Sequence, residues 1–320
     1  MSVASGAVSV RPSLALVIPT YARAQHLKQT LNAMAVDIAA NNIAVYISDD
    51  SPDDETEAVI KGLAQTIPGI RYRHNIPPLR HDRNIVESLL WPDEDYVWIL
   101  GDTGWVKPGG FSHILDLLNG QDFLFVNSHA QETEDRPVLS GEEGLRLVRE
   151  KMWHQTLTGA TIYSRRLLDW LRHHSPTGDG LVRNFPHLSI LLDFIKDHSF
   201  TTGWIGKQWT SFLPKNSYWR KQALSVFADD WAAVIKRQPT VITPAHYASV
   251  LRSHDDNMGL FNVGLLVELR ASGALNRRYL KESPDIRQVV ARPEWVVKSI
   301  AMVPVWAAWA AHTMKRYWRG

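Results

Sequence analysis

Apolar positions in the first hundred residues follow two periods, and the two alternate. Leu14-Ala-Leu-Val-Ile18 is an unbroken run of buried-strand type, after which Leu27, Leu31, Met34, Ala35 and Ile38 recur at helical spacing. Asn41-Asn42 stops that helix, and Ile43 to Ile47 forms a second strand. A helix over roughly Glu55 to Gln65 comes next, with Asp53 and Asp54 placed to cap it. Ile70 to Arg73, a helix from Asp82 to Leu90 and the aromatic run Tyr96 to Leu100 complete the series. Such alternation predicts a parallel sheet with right-handed crossovers. Polar loops at 19–23, 48–54 and 101–107 each follow a strand and converge on one edge of the sheet, where open α/β sheets bind ligands.

The later pattern is less regular. Phe123 to Val126 reads as a strand, Glu132 to Glu143 as a polar connection, Gly144 to Arg149 as a short helix and Ala160 to Tyr163 as a further strand. An amphipathic helix near Arg165 to Arg172, a loop over 173–180, a helix from Phe185 to about Lys196 and a late strand from Trp204 to Phe212 follow. Beyond residue 221 the spacing is helical: Gln222 to Arg237, Pro244 to Ser253 and Leu260 to Ala271. The expected organisation is an α/β domain over 1–215, with a nucleotide-binding half at 12–125 and a second half at 126–215. A helical C-terminal region over 216–320 completes it.

At 320 residues with 45% apolar content, the chain has material for a sizeable core. A formal charge of +2 does not argue for a nucleic-acid partner. The absence of cysteine rules out disulfides, thiolate metal sites and a cysteine nucleophile, which suits a reducing cytoplasm. The N-terminal apolar run is too short for a signal peptide, and no uncharged apolar run reaches the ~20 residues of a membrane span. Neither a Gly-x-Gly-x-x-Gly after the first strand nor a Gly-Lys-Ser/Thr loop occurs, which leaves dinucleotide and P-loop readings without support.

Four pieces in order carry a resemblance. They are Ile18-Pro-Thr-Tyr-Ala-Arg23, Ile47-Ser-Asp-Asp-Ser-Pro-Asp53-Asp54, Asn75…Asp82-Arg-Asn84, and Tyr96-Val-Trp-Ile-Leu-Gly-Asp102 with Pro108-Gly-Gly downstream. With them the first 125 residues or so resemble a family 2 glycosyltransferase of the GT-A fold, in its bacterial abequosyltransferase-like branch. The fold class implied is α/β, a GT-A type nucleotide-binding sheet flanked by helices with a largely helical C-terminal appendage. The function implied is inverting transfer of a sugar from a nucleoside-diphosphate sugar to a polysaccharide or lipid-linked glycan in surface polysaccharide synthesis.

The same resemblance assigns residues. Pro19, Thr20, Tyr21 and Arg23 line the nucleotide-sugar site, with Thr20 and Tyr21 against base and ribose. Asp49 accepts from the base, a role an ionised carboxylate can fill, and Asp50 supports it or meets the ribose. Arg80, Asp82, Arg83 and Asn84 close the pocket, and an arginine there suits a diphosphate. One departure stands out. The family expects a second acid where this chain has Gly101-Asp-Thr-Gly104, so Asp102 is alone. That leaves two expectations: a divalent cation (Mg or Mn) carried by the diphosphate and Asp102, or metal-independent transfer in which Arg and Lys side chains stabilise the leaving group.

An inverting transferase also needs a base for the acceptor hydroxyl. No Glu-Asp pair occurs in the region where the family places its acid, and His187 and Asp179 are the nearest substitutes. The loop Lys215-Asn-Ser-Tyr-Trp-Arg220 offers cations and aromatic faces to an acceptor, or serves as a lid. At the C-terminus, Met302, Trp306, Trp309, Thr313 and Tyr317 form one stripe if the segment is a single helix, with Lys315, Arg316 and Arg319 beyond. That pattern suits the cytoplasmic face of a membrane. A rival reading is a non-catalytic nucleotide-sugar or glycan-binding protein with a degenerate site.

Overall fold

The central feature is an eight-stranded sheet in the order β3-β2-β1-β4-β8-β6-β9-β7. The computed structural model describes residues 11–175, 177–213 and 218–317. The first four strands are β1 (Leu14–Thr20), β2 (Ala44–Asp49), β3 (Arg71–His74) and β4 (Tyr96–Ile99). The helices α1 (Ala24–Ala40), α2 (Glu55–Leu63) and α3 (His81–Leu90) cross between them. All pairs within β3-β2-β1-β4 are parallel, as the alternation predicts. The chain moves outward from β1 through β2 to β3, then returns to place β4 on the other side of β1. The sheet therefore reverses its winding between β1 and β4, and a crevice opens at that point beyond the carboxyl ends of the strands.

The next elements are β5 (Gly104–Val106), α4 (Gly110–Leu117), β6 (Phe123–Val126), β7 (Arg136–Ser140) and α5 (Gly141–Lys151). They are followed by β8 (Thr161–Ser164), α6 (Arg165–His174), α7 (Pro186–Asp197), β9 (Thr201–Ile205) and β10 (Thr210–Phe212). Here the sheet is mixed, because β8 runs antiparallel between β4 and β6. Two expectations are corrected. The polar connection at 132–143 contains β7, an edge strand that accommodates Pro137 because its outer side needs no ladder hydrogen bond. The single late strand at 204–212 is two: β9 joins the main sheet, while β10 pairs antiparallel with β5 in a small second sheet.

Packing follows from these strands. Trp98 on β4 is fully buried, donates its indole N–H to the Gly159 carbonyl at 2.9 Å and meets Phe111 edge-on. Around it, Leu16, Ile18, Leu27, Leu31, Val45, Ile47, Phe111 and Leu124 join one apolar cluster. The expected helix caps hold in part. Asp53 accepts from the Glu55 backbone N–H at 3.1 Å, whereas Asp54 makes no side-chain cap.

The chain divides into two compact units. The first runs to Leu147, then takes in Leu157–Asp179 and the stretch from His198 through β10. The second gathers Val148–Thr156, Gly180–Asp197 and the chain beyond 215, so α7 belongs with the C-terminal helices and not with the 126–215 half drawn from the sequence. In the second unit, a six-residue π-helical turn at Ser225–Asp230 leads into α8 (Trp231–Lys236), followed by α9 (Pro244–Met258) and α10 (Val263–Ala271). Then come α11 (Arg277–Glu282), α12 (Ile286–Val289), α13 (Glu294–Met302) and α14 (Val305–Tyr317). A forked pair of hydrogen bonds from Arg237 to Asp193, at 2.8 and 2.6 Å, ties the chain after α8 to α7. The carboxylate holds the Arg237 pKa above its ordinary value. The Lys215–Arg220 loop falls largely outside the described residues.

β7 and β9 pair with a register shift between Arg136 and Leu139, and Gly203 of β9 lies at the shift. A methyl group on Gly203 would sit 2.4 Å from the Pro137 carbonyl oxygen and 2.5 Å from a Leu124 methyl. Gly203→Ala is expected to lower stability by about 1–3 kcal/mol through overpacking. By contrast Gly62, exposed within α2 with nothing near its would-be methyl group, should gain about 0.5–1 kcal/mol on replacement by Ala. Urea unfolding of the two variants checks the opposite signs.

Candidate functional site

The crevice between β1 and β4 is built from the two chain segments that leave those strands. Thr20 ends β1 and Arg23 is the residue preceding α1. Asp102 follows β4 after two residues, held by a turn in which the Gly104 N–H donates to the Gly101 carbonyl at 2.8 Å. Because β1 and β4 are adjacent and parallel, both segments leave the sheet at the same edge. Arg23 donates to one Asp102 oxygen at 2.9 Å, and the Thr20 hydroxyl donates to the other at 3.1 Å. The Asp102 side chain is 7% exposed and that of Arg23 33%, so the carboxylate is enclosed while the guanidinium reaches the surface. The Thr30 hydroxyl contacts the Asp102 carbonyl at 3.3 Å, fixing the turn to α1.

The loop after β2 has a different character. The Asp49 side chain is fully buried: one oxygen accepts from the Ser51 backbone N–H and hydroxyl, the other from the Tyr72 hydroxyl at 2.9 Å. The phenol pKa of Tyr72 is raised by burial and by Asp49, which keeps it a donor. Asp50 is also buried and accepts from Asn75 at 2.8 Å and from the Leu79 N–H at 3.1 Å. Both Asp49 oxygens thus have partners within the protein. The reason is local, since a carboxylate at the head of an Asp-Asp-Ser turn meets the N–H two residues on before it meets any ligand. Ser51 was not singled out from the sequence. It also binds the Ala22 N–H at 2.9 Å and so joins the β1 and β2 loops.

The Asn75–Asn84 element splits in the same way. Asn84 is buried, donating to the Ser48 carbonyl at 3.2 Å, and thus ties α3 to β2. Asp82 meets His81 at 2.7 Å, and Arg83 approaches Glu87 at 3.5 Å on the helix surface. Arg80 is exposed, and its backbone adopts φ 67° and ψ 165°, a conformation costly for any residue with a side chain and concentrated at ligand clamps. Tyr21 is 61% exposed at the mouth of the crevice. Pro19 is partly buried on β1.

The two residues expected near the acceptor differ in access. Asp179 is exposed in a turn and accepts from the Thr177 hydroxyl at 2.7 Å. His187 on α7 is 1% exposed, and its Nε2 lies 3.0 Å from the Gln155 carbonyl oxygen.

Residues 15–167 match the profile described as Glycosyl transferase family 2. Over 115 residues the chain is 34% identical to abequosyltransferase RfbV of Salmonella typhimurium strain LT2, a segment covering 35% of this chain and 34% of the relative. The chain thus aligns with about a third of that relative's length. Among solved structures, the fold resembles S. aureus TarS 1–349 in complex with UDP-GlcNAc, with a TM-score of 0.57 at 12% identity, covering 95% of this chain and 92% of TarS. It also resembles the mannosyltransferase PcManGT from Pyrobaculum calidifontis in complex with GDP-Man and Mn2+, with a TM-score of 0.50 at 14% identity, covering 92% and 88%. At these identities the structural likeness is one of fold, which is of the GT-A type.

The Mn2+ of the PcManGT complex raises the question of what this chain offers such an ion. Divalent cations of this kind take about six oxygen ligands. Among the described residues no three His, Cys, Asp or Glu side chains are grouped to hold one. Both Asp49 oxygens are engaged by Ser51 and Tyr72, Asp50 accepts on one oxygen from Asn75 and the Leu79 N–H, and both oxygens of Asp102 are engaged, one of them by a guanidinium. As arranged, these donors do not fit a resident divalent ion.

If Asp49 anchors its loop, Asp49→Ala should lower the unfolding free energy by about 2–3 kcal/mol, because Ser51 and Tyr72 lose a buried charged acceptor. Tyr72→Phe should cost about 1 kcal/mol. Chemical denaturation measures both, and an Asp49→Ala protein of wild-type stability would remove the anchoring role.

Proposed function

From the match of residues 15–167 to the glycosyl transferase family 2 profile, we propose that the protein transfers a sugar from a nucleoside-diphosphate sugar to a polysaccharide or lipid-linked glycan acceptor. The observation that carries this reading is the β1–β4 crevice, where Thr20, Arg23 and Asp102 meet at the point of sheet reversal inside the matched segment. Tyr21 is the exposed aromatic beside it and supplies a face for the base. Arg80 stands on a strained loop at the same sheet edge and is free to approach a phosphate, with no side-chain partner among the described residues. The UDP-GlcNAc in the TarS complex supports a uridine-type donor, and similarity to an abequosyltransferase supports a role in surface polysaccharide synthesis.

Transfer with inversion needs one base on the acceptor side. Asp179 is our choice, because its carboxylate is open to solvent whereas His187 is enclosed and bound to a backbone carbonyl. Asp179→Asn should reduce sugar transfer by about a hundredfold or more, with donor affinity unchanged. The assay is release of nucleoside diphosphate from a panel of nucleotide sugars in the presence of candidate acceptors. Wild-type protein that binds donor yet releases none with any acceptor would favour a non-catalytic binding protein. Retained activity in Asp179→Asn together with loss in His187→Ala would transfer the role of base to His187.

The C-terminal helices support a peripheral site on the cytoplasmic face of a membrane. The expected continuous stripe is broken. Val303 is extended at ψ 136° before Pro304, and the segment becomes α13 and α14. Val297, Ala301 and Ala308 turn inward, while Trp295, Met302, Val305, Trp306 and Trp309 stay exposed, Trp306 at 74%. Thr313 bonds back to the Trp309 carbonyl at 2.8 Å; the side chains of Lys315, Arg316, Tyr317 and Arg319 lie outside the described residues. Among the described residues no helix is long and apolar enough to cross a membrane. Exposed tryptophans on a short helix next to a basic terminus suit anionic headgroups. Full-length protein should float with anionic liposomes, and Trp306→Ser with Trp309→Ser should release it. Flotation that is absent in the wild type, or unaltered by the double substitution, would remove the tail from this role.

A further inference from the structure

We propose that the Arg23 guanidinium, held in place by Asp102, is the cation that receives the donor's diphosphate. It would stand where the sequence resemblance leads one to expect a second acid and a divalent ion after β4. This inference rests on the nucleotide-sugar reading above and names the group that stabilises the leaving charge.

Four observations converge on Arg23. It lies at the reversal point between β1 and β4, where a ligand enters a sheet of this kind. Its charge is oriented from behind by an enclosed carboxylate, and a single hydrogen bond of 2.9 Å uses one of its five N–H donors. No other side-chain partner for Arg23 is present among the described residues, so a face of the fork is left for phosphate oxygens. Arg23 also immediately precedes the 17-residue α1, whose first-turn N–H groups add partial positive charge at the same place.

The alternative of a metal on Asp102 meets a specific obstacle. The ion would have to displace Arg23 or Thr20 from the carboxylate and then sit within a few ångströms of a guanidinium. Like charges at such range repel strongly wherever water is partly excluded. An Asp-x-Asp site has a second acid to offset that repulsion, and Gly101-Asp-Thr-Gly104 has none.

In the transfer step the anomeric carbon–oxygen bond breaks, and its electron pair goes to the terminal oxygen of the nucleoside diphosphate. The acceptor oxygen bonds to that carbon from the opposite face, and its proton passes to the base. Arg23 would pair with the diphosphate oxygens and favour the extra negative charge as it forms. Arg23 would touch the leaving group and so be a catalytic residue beside the base. Asp102 acts through Arg23 and is a positioning residue.

The test is calorimetric titration of wild-type protein with UDP, CDP, GDP and dTDP and with the matching nucleosides, in EDTA and then in Mg2+ or Mn2+. The best diphosphate should bind in EDTA within about threefold of its affinity with metal. Arg23→Gln should weaken diphosphate binding by about tenfold or more, leave nucleoside binding unchanged and keep the fold by circular dichroism. Arg23→Lys should recover part of the loss. Asp102→Asn should fall between wild type and Arg23→Gln without acquiring metal dependence. Diphosphate binding that disappears in EDTA and returns with Mn2+ would overturn the proposal while leaving the nucleotide-sugar reading standing. Unweakened binding by Arg23→Gln would do the same. If no nucleoside diphosphate binds under either condition, the nucleotide-sugar reading fails and this inference fails with it. The comparison in EDTA needs no variant, so it decides the matter even if Arg23→Gln does not fold.

Discussion

The parallel pairing of β1 with β4 is the constraint on which the site depends. Parallel neighbours leave the sheet in the same direction, so Thr20-Tyr-Ala-Arg23 and Gly101-Asp102 must emerge side by side, although some eighty residues separate Arg23 from Asp102 along the chain. The four paired positions from Leu14↔Tyr96 to Val17↔Ile99 are buried on both faces, which fixes the register. A slip of one residue would turn Trp98 to the opposite face of the sheet, away from the Gly159 carbonyl, and take Asp102 away from Thr20. Apolar packing beneath the sheet edge thus sets the geometry of polar groups above it.

Three buried acids occur along that edge, and their partners distinguish their tasks. Asp49 accepts from Ser51 and Tyr72, and Asp50 accepts on one oxygen from Asn75 and the Leu79 N–H, so the two tie the β2 loop to β3 and the segment after it. Asp102 has only two side-chain donors, and one is an arginine that reaches the surface. The first pair stiffens the rim of the crevice. The third acid directs a positive charge into it. A donor diphosphate would meet that charge on a frame already ordered by hydrogen bonds, which reduces the ordering cost of binding.

The C-terminal helices illustrate how one residue divides a surface. Pro304 forces Val303 into extended backbone, and the break lets Ala301 and Ala308 both face inward from separate helices. The bulky residues between and beyond them are left outside. Small side chains on the packed side permit close approach of helices, so α14 rests against α10 while its tryptophans stay in water.

Periodicity alone predicted the half of the sheet from β1 to β4, because apolar runs and helical spacing are local signals that burial then confirms. The run Tyr96 to Leu100 and the acid after it could be read residue by residue. β7 could not, since an exposed edge strand carries no apolar alternation, and Arg136-Pro-Val-Leu-Ser140 looks like any polar connection. The split of 204–212 depended on where Gly206 had to pass: a methyl group there would lie 2.0 Å from the Thr133 carbonyl oxygen, a contact that no pattern within the strand records. Residue types in order determined that carboxylates and arginines would gather at one edge. Which carboxylate turns inward to bind its own loop, and which one meets an arginine, was decided only by tertiary structure. Ser51 is a local partner of Asp49, but Tyr72 on β3, and Thr20 and Arg23 at Asp102, come from segments far away in sequence that the packed sheet brings to each carboxylate.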